Sequence, residues 1–205
     1  MPAYFSIICE CDQSKLYDNL LMDFYSVFQS VGAVFISGYY DSFGESFEAI
    51  LDRNQRLLKE NHIPDIKSDI SEHYSQLLFD YEGFSETRSF LINHSNDASF
   101  SIHIVIPEDE LLTFDKGKIT YSPQKIDKLT HLSTKLWELY FVEIIQTTLE
   151  LSDSASHLSG IKNGALPSVE PFAIIPSSIG KHVNYPVMKT LNTTKEGILL
   201  SQLIS

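Results

Sequence analysis

The chain has 205 residues, 43% hydrophobic and 12% aromatic, enough for a substantial core and outside the low-hydrophobicity, high-charge range of disordered chains. The formal net charge is −12, and Arg53, Arg56 and Arg88 stand against 12 lysines, a balance that argues against a nucleic-acid or phosphoryl-ligand binder, where bidentate arginines are the preferred donors. No stretch nears the roughly 18 uncharged apolar residues of a membrane-spanning helix, and Glu10 and Asp12 come early where a signal peptide would carry a basic and then an apolar run, so the expected compartment is the cytoplasm.

Residues 3–11, rich in aromatic and β-branched side chains, read as a buried strand. Residues 13–30 read as a helix with Ser14 as N-cap, an apolar stripe of Leu16, Leu20, Phe24, Val27 and Phe28, and Gly32 as the stop. A second strand at residues 33–40 makes the opening β-α-β, with a right-handed crossover expected if the two strands are parallel. Residues 41–62 turn and become a helix striped by Phe47, Ile50, Leu51, Leu57 and Leu58, and Pro64 ends it. The spacing of Ile66, Ile70, Tyr74, Leu77, Leu78 and Tyr81 predicts another helix over residues 66–81.

Strands are predicted at residues 86–93 and 98–106, joined by a loop of hairpin composition. In the second, Phe100, Ile102, Ile104 and Ile106 share one face, and Ser99, Ser101, His103 and Val105 share the other. A turn at residues 107–110 leads into a small hairpin over residues 113–121, tipped at Lys116 and Gly117. Ser122 and Pro123 open the longest helix, predicted to run to about residue 151. Beyond Leu136 this helix is apolar nearly all round, as in a central pillar or in a homodimer interface through Trp137, Tyr140, Phe141, Val142, Ile144 and Ile145. A Ser/Gly-rich loop follows, then a short strand at residues 172–175, placed at a sheet edge by the flanking Pro171 and Pro176. The tail is polar but ends in apolar residues that dock on the body.

The order predicts a single α+β domain over residues 1–205: a mixed or antiparallel sheet with helices packed on one face, in an expanded split β-α-β (ferredoxin-like) arrangement. Within it, residues 41–115 form an acidic insertion of helices and strands, and residues 177–205 a C-terminal extension docked on the body.

Phosphate-binding loops, dinucleotide fingerprints and nucleophile elbows are missing from the sequence, and no cofactor or catalytic residue is assigned. Cys9 and Cys11 would share one face of a strand; with no second cysteine pair to complete a metal site, they read as core residues. The seven histidines form no helical ligand pair. His94 and His103 could approach each other across the strand pair, yet a metal there would also need a carboxylate such as Asp97.

Charge is the feature that speaks about partners. Residues 41–115 carry 16 Asp and Glu against 5 Lys and Arg, whereas residues 121–205 carry 7 of each sign. The candidate contact surface is Tyr39, Tyr40, Asp41, Glu45 and Glu48, where aromatics interleave with carboxylates, together with Glu108, Asp109 and Glu110. The opposing explanation is local: Phe43 and Phe47 enter the core, Ser42 and Glu45 form a capping box, and the 108–110 run answers a helix dipole. Two functions follow, beside a homodimeric scaffold that would use the helix face from Trp137 to Ile145. One is a binding protein that neutralises a basic protein partner, of toxin-immunity or inhibitor type, for instance against a nuclease-like toxin. The other is an enzyme with a dispersed site drawing on residues such as Asp41, Glu45, His103 and Glu108. A deep cavity holding histidines or carboxylates of shifted pKa would favour the second; a flat acidic surface would count against it.

Overall fold

Strand β1 (Tyr4–Asp12) is buried on both faces from Ile7 to Cys11, the pattern of a strand inside a sheet with cover on each side. Phe5, Ile7, Cys9 and Cys11 point one way and are fully buried; Ile8 and Glu10 point the other way and are buried as well. The computed structural model describes residues 3–39, 42–60, 76–94, 97–152, 155–180, 183 and 185–203. In chain order the further strands are β2 (Ala33–Tyr39), β3 (Gln76–Tyr81), β4 (Phe84–His94), β5 (Ser99–Pro107), β6 (Leu112–Asp115), β7 (Lys118–Tyr121), β8 (Val142–Leu149), β9 (Phe172–Pro176), β10 (Val187–Thr190) and β11 (Gly197–Ser201). The helices are α1 (Leu20–Ser30), α2 (Phe47–Lys59), α3 (Pro123–Trp137), α4 (Leu158–Lys162) and α5 (Ser177–Gly180).

Nine strands form one sheet in the order β10-β11-β9-β8-β1-β5-β4-β3-β2, with β1 at its centre and every strand pair antiparallel. The protein is thus α+β with a large antiparallel sheet. The ferredoxin-like detail is not confirmed: β1 and β2 run parallel, but three strands separate them where a split β-α-β has one. The separate β6–β7 hairpin forms where expected. Its tip carries Lys116 at φ 50° and Gly117 at φ 79°, the pair of positive values that a type I′ turn demands.

Helices α1, α2 and α3 cover one face. Leu20, Leu21, Phe24, Tyr25 and Phe28 of α1, Ile50, Leu51 and Leu58 of α2, and Ile126, Leu129, Leu132 and Leu136 of α3 meet the odd-numbered side chains of β1 and the even-numbered ones of β5. Each such side chain withdrawn from water contributes about 1.5–3 kcal/mol. Aromatic rings fill the α1–α2–β3 corner, where Tyr25 stacks on Phe79 at 5.7 Å between centroids and Phe28 lies 4.8 Å from Phe79. On the opposite face α4 covers a smaller cluster of Ile144, Val169, Ala173, Ile175 and Leu200.

Four expectations are corrected. Helix α3 stops at Trp137, and Val142–Leu149 is β8, paired with β1 from Phe5↔Leu149 to Cys11↔Val142. Its run of Val, Ile and Thr is β-branched, and a strand covered on both faces looks apolar all round just as a buried helix does. The homodimer face therefore does not exist as a helix face: Trp137, Phe141, Val142, Ile144 and Ile145 lie in the chain's own core, with Tyr140 alone of the six exposed. Of the helix predicted at 66–81, the part from Gln76 to Tyr81 is strand β3, and the remainder up to residue 75 lies outside the described residues. Strand β9 is interior, between β8 and β11, because Pro171 precedes the ladder and Pro176 stands at its last pair, so neither removes a donor from the middle. At the first helix, Gln13–Lys15 is a separate 3-10 turn capped by Asp12, whose carboxylate accepts the Ser14 N–H at 3.0 Å, and α1 begins at Leu20.

Candidate functional site

The predicted contact surface does not assemble into one patch. Tyr39 ends β2 at the sheet edge, whereas Glu108 follows β5, three strands inward and at the opposite end, a lateral separation of about 14 Å at the usual strand spacing. Tyr40 and Asp41 lie outside the described residues. Glu45 is half-buried and paired with Arg53 at 2.6 Å, and Glu48 is exposed on α2. Glu108 is buried and accepts the Glu150 backbone N–H at 2.7 Å; desolvation raises its pKa. Asp109 is exposed, while Glu110 receives the backbone N–H and hydroxyl of Ser85 and faces Lys125 at 3.6 Å. The aromatic turn divides too. Phe47 packs at 5.0 Å from Phe35, but Phe43 is 80% exposed, and Ser46 rather than Ser42 caps α2 by accepting the Ala49 N–H. Ser42 is buried against the strand end, where a Cβ on Gly38 would stand 2.0 Å from its carbonyl oxygen; only glycine permits that approach.

A different group of polar side chains does converge. It lies on the face of β1, β5 and β4 that α1–α3 leave open. The β1–β5 register sets Glu10 directly opposite Ser101 and Ile8 opposite His103, and the β4–β5 register sets Ile92 opposite Ser101 and His94 opposite Ser99. Directly opposed side chains of an antiparallel pair stand about 4.5–5.5 Å apart at Cβ, so three strands deliver a carboxyl, a hydroxyl and two imidazoles to one spot. The Ser101 Oγ lies 2.9 Å from His94 Nε2 and 2.8 Å from His103 Nε2. A hydroxyl has one proton and two lone pairs, so at least one of the two rings carries its proton on Nε2 and donates to it. His103 stacks on Phe90 at 4.9 Å, and His157, just before α4, brings its ring within 4.7 Å of His94.

Gln146 of β8 ties the group to its cover. Its Nε2 donates to Glu10 Oε1 at 3.0 Å and to the Ser156 carbonyl at 2.7 Å, and its Oε1 accepts the Ser168 N–H at 3.0 Å. These bonds hold the chain between β8 and α4 over the sheet and leave a cavity of about 450 Å³, with Ile8, Ile92, Leu149 and Ala155 as apolar wall and Glu10, His94, Ser101, His103, Glu150 and His157 as polar lining. Burial raises the pKa of Glu10 to about 8 against the pull of the Gln146 amide. Burial, helped by His94, lowers that of His103 to about 3, so the ring is neutral at every ordinary pH. Chemically the group offers a hydroxyl flanked by two bases and a carboxyl that holds its proton near neutrality. Among the described residues no three His, Cys, Asp or Glu side chains are placed to hold a metal ion, and Cys9 and Cys11 are buried free thiols on the helix side of β1. Of the residues named for a dispersed active site, His103 is the one found in this cavity.

Comparison of the chain with protein-family models, with curated proteins and with solved structures gives no match. Glu10, Ser101, Gln146 and His157 escaped the sequence reading. One signal was present: a carboxylate between Cys9 and Cys11 in a strand buried on both faces needs a reason to be there.

Proposed function

We propose that the chain is an acidic cytoplasmic binding protein that neutralises a basic protein partner, in the manner of an immunity protein or inhibitor. The charge left at the surface supports this reading. Glu48, Asp52, Asp80, Asp109 and Asp115 are exposed and in no ion pair among the described residues. Of the five cations of the same segment, three are engaged: Arg53 with Glu45, Arg88 with Glu86, and Lys59 with Asp18; Arg56 is exposed on α2, and Lys67 lies outside the described residues. The acidic surplus therefore faces outward, where it steers a basic protein and is screened beyond about 10 Å by salt. The test is affinity capture at low ionic strength from the cells that make the chain. One stoichiometric basic protein is expected, released by salt and weakened by Glu48→Lys with Asp52→Lys, which share a face of α2 one turn apart. Recovery of no stoichiometric basic protein sinks the reading.

A second reading is favoured by the Ser101 hydroxyl between two imidazoles in a cavity that also holds a carboxyl of raised pKa. That arrangement suits an enzyme in which Ser101 is activated by a neighbouring ring. Turnover of an ester panel that vanishes in Ser101→Ala would support it, and equal rates in both proteins would dispose of it.

A further inference from the structure

Glu10 is half answered by its surroundings. Oε1 receives the Gln146 amide and the Leu158 backbone N–H lies near the carboxyl, but Oε2 makes no hydrogen bond among the described residues, and the side chain as a whole is 2% exposed and lines the cavity. A buried carboxyl oxygen without a hydrogen-bond partner is destabilising. The groups around it are Ser101 and His103 from β5, His94 from β4, Asp97 from the β4–β5 loop, Glu150 beyond β8 and His157 before α4. The carboxylates nearby, Asp97 and Glu150, share its sign; burial keeps the His103 ring neutral; and no lysine or arginine lines the cavity among the described residues. Ile8, Ile92, Leu149 and Ala155 supply an apolar wall. The cavity is within the size range of small-ligand sites.

We propose that this cavity is a socket for an alkylammonium or guanidinium group, which donates to Glu10 Oε2 while its methylenes lie against Ile8, Ile92 and Leu149. An anion would meet two carboxylates there, and a purely apolar ligand would leave Oε2 unanswered. The cation has two sources. A free small amine needs nothing further; a lysine or arginine of a basic partner makes the socket an anchor of the binding surface, and that source rests on the binding-protein reading. The acid–base consequence follows from the empty state. Burial keeps Glu10 protonated up to a pKa of about 8, so a cation must displace that proton, and affinity rises about tenfold per pH unit below that value.

The test is a calorimetric titration of the full chain with n-butylguanidinium and n-butylammonium, with n-butanol and butyrate as controls of equal chain length. Saturable binding of the cations alone is expected, about tenfold tighter at pH 7 than at pH 6, with proton release, and lost in Glu10→Gln. Glu10→Gln keeps an acceptor for the Gln146 amide, and its folding is checked by thermal unfolding. Absence of saturable cation binding to the wild type, equal binding to Glu10→Gln, or affinity flat over this pH range overturns the socket. A lysine-rich peptide that binds in a Glu10-dependent way assigns the cation to a partner; binding of the small cations alone assigns it to a free amine. A basic protein captured equally by wild type and Glu10→Gln, with no small-cation binding, ends the socket and leaves the binding reading standing. Glu10-dependent cation binding with no basic protein captured does the reverse.

Discussion

Replacing Glu10 by Gln is expected to stabilise the protein at neutral pH and to leave it unchanged in mild acid. Desolvation raises the Glu10 carboxyl from an ordinary 4.5 to about 8; the Gln146 amide and the Leu158 backbone N–H pull it back, and Asp97 pushes it further. Between these values the folded protein holds a proton that the unfolded chain has released, so stability falls as pH rises. At about 1.4 kcal/mol per unit, the loss between pH 4.5 and pH 7 is about 3 kcal/mol, with about one more by pH 8. Glutamine has the same shape, cannot ionise, and recovers that amount. For a chain of 205 residues this is a rise of roughly 6–12 °C in Tm. His103 acts with the opposite sign: its lowered pKa of about 3 gives stability that is present above its ordinary value and lost as pH falls toward the folded one. It is the same in both proteins and drops out of the difference. The assay is denaturant or thermal unfolding of wild type and variant from pH 4.5 to pH 9. The two stability curves should meet near pH 4.5 and open to about 3 kcal/mol at pH 7. A Gln variant that is less stable at pH 7, or a gap that does not change with pH, would refute the desolvation argument.

Other substitutions probe the frame around the cavity and beyond it. Gly197→Ala places a Cβ 2.5 Å from Trp137 Nε1, a contact neither partner can relieve cheaply, and should cost about 1–3 kcal/mol in chemical denaturation. Tyr25→Phe removes a buried hydroxyl 2.9 Å from Ser89 Oγ; Ser89 still donates to the His103 carbonyl, so the loss should be near 1 kcal/mol rather than the larger cost of an orphaned donor. His103→Gln keeps a polar partner within reach of Ser101 and removes the titrating ring, so the fall in stability between pH 6.5 and acid should flatten relative to wild type in the same unfolding series.

The fold was legible where local chemistry and tertiary placement agree. The strands at β1, β2, β4 and β5 were found within a few residues because each alternates or runs apolar between clear breakers, and the β6–β7 hairpin was found because Lys116-Gly117 suits a positive-φ pair. The two large errors have one cause. Val142–Leu149 is a strand walled in on both sides, and in Gln76–Tyr81 the outward Leu78 breaks the alternation although Asp80 is exposed. With the period of two erased, the three- and four-residue spacings of Leu77, Leu78 and Tyr81, or of Leu136, Leu139 and the residues after it, read equally well as helix. What distinguishes Val142–Leu149 is its β-branched content, and the continuation of a strong helix from Ser122 outweighed that signal.

The site was hidden for a different reason. Its members are ordinary taken singly: a strand carboxylate, a strand serine, a histidine beside a loop. They become a site through two registers, Glu10 opposite Ser101 and Ile92 opposite Ser101, and a register between segments some ninety residues apart has no local signature. Alternation did place Ser101 and His103 on the face away from the isoleucines, and it left open what covers that face. The cover comes from the chain after β8, held down by Gln146, and β8 was itself read as helix. With the chain after β8 lying over this face, Ser99 and Ser101 leave solvent, and buried polar groups of this kind are met by a partner within the protein or in a ligand. Ser101, His94 and His103 find one another, and Glu10 Oε1 finds Gln146. The Ser99 hydroxyl and Glu10 Oε2 are left over from that pairing among the described residues, and of the two only Glu10 lines the cavity, where a donor of positive charge is the group that would complete it.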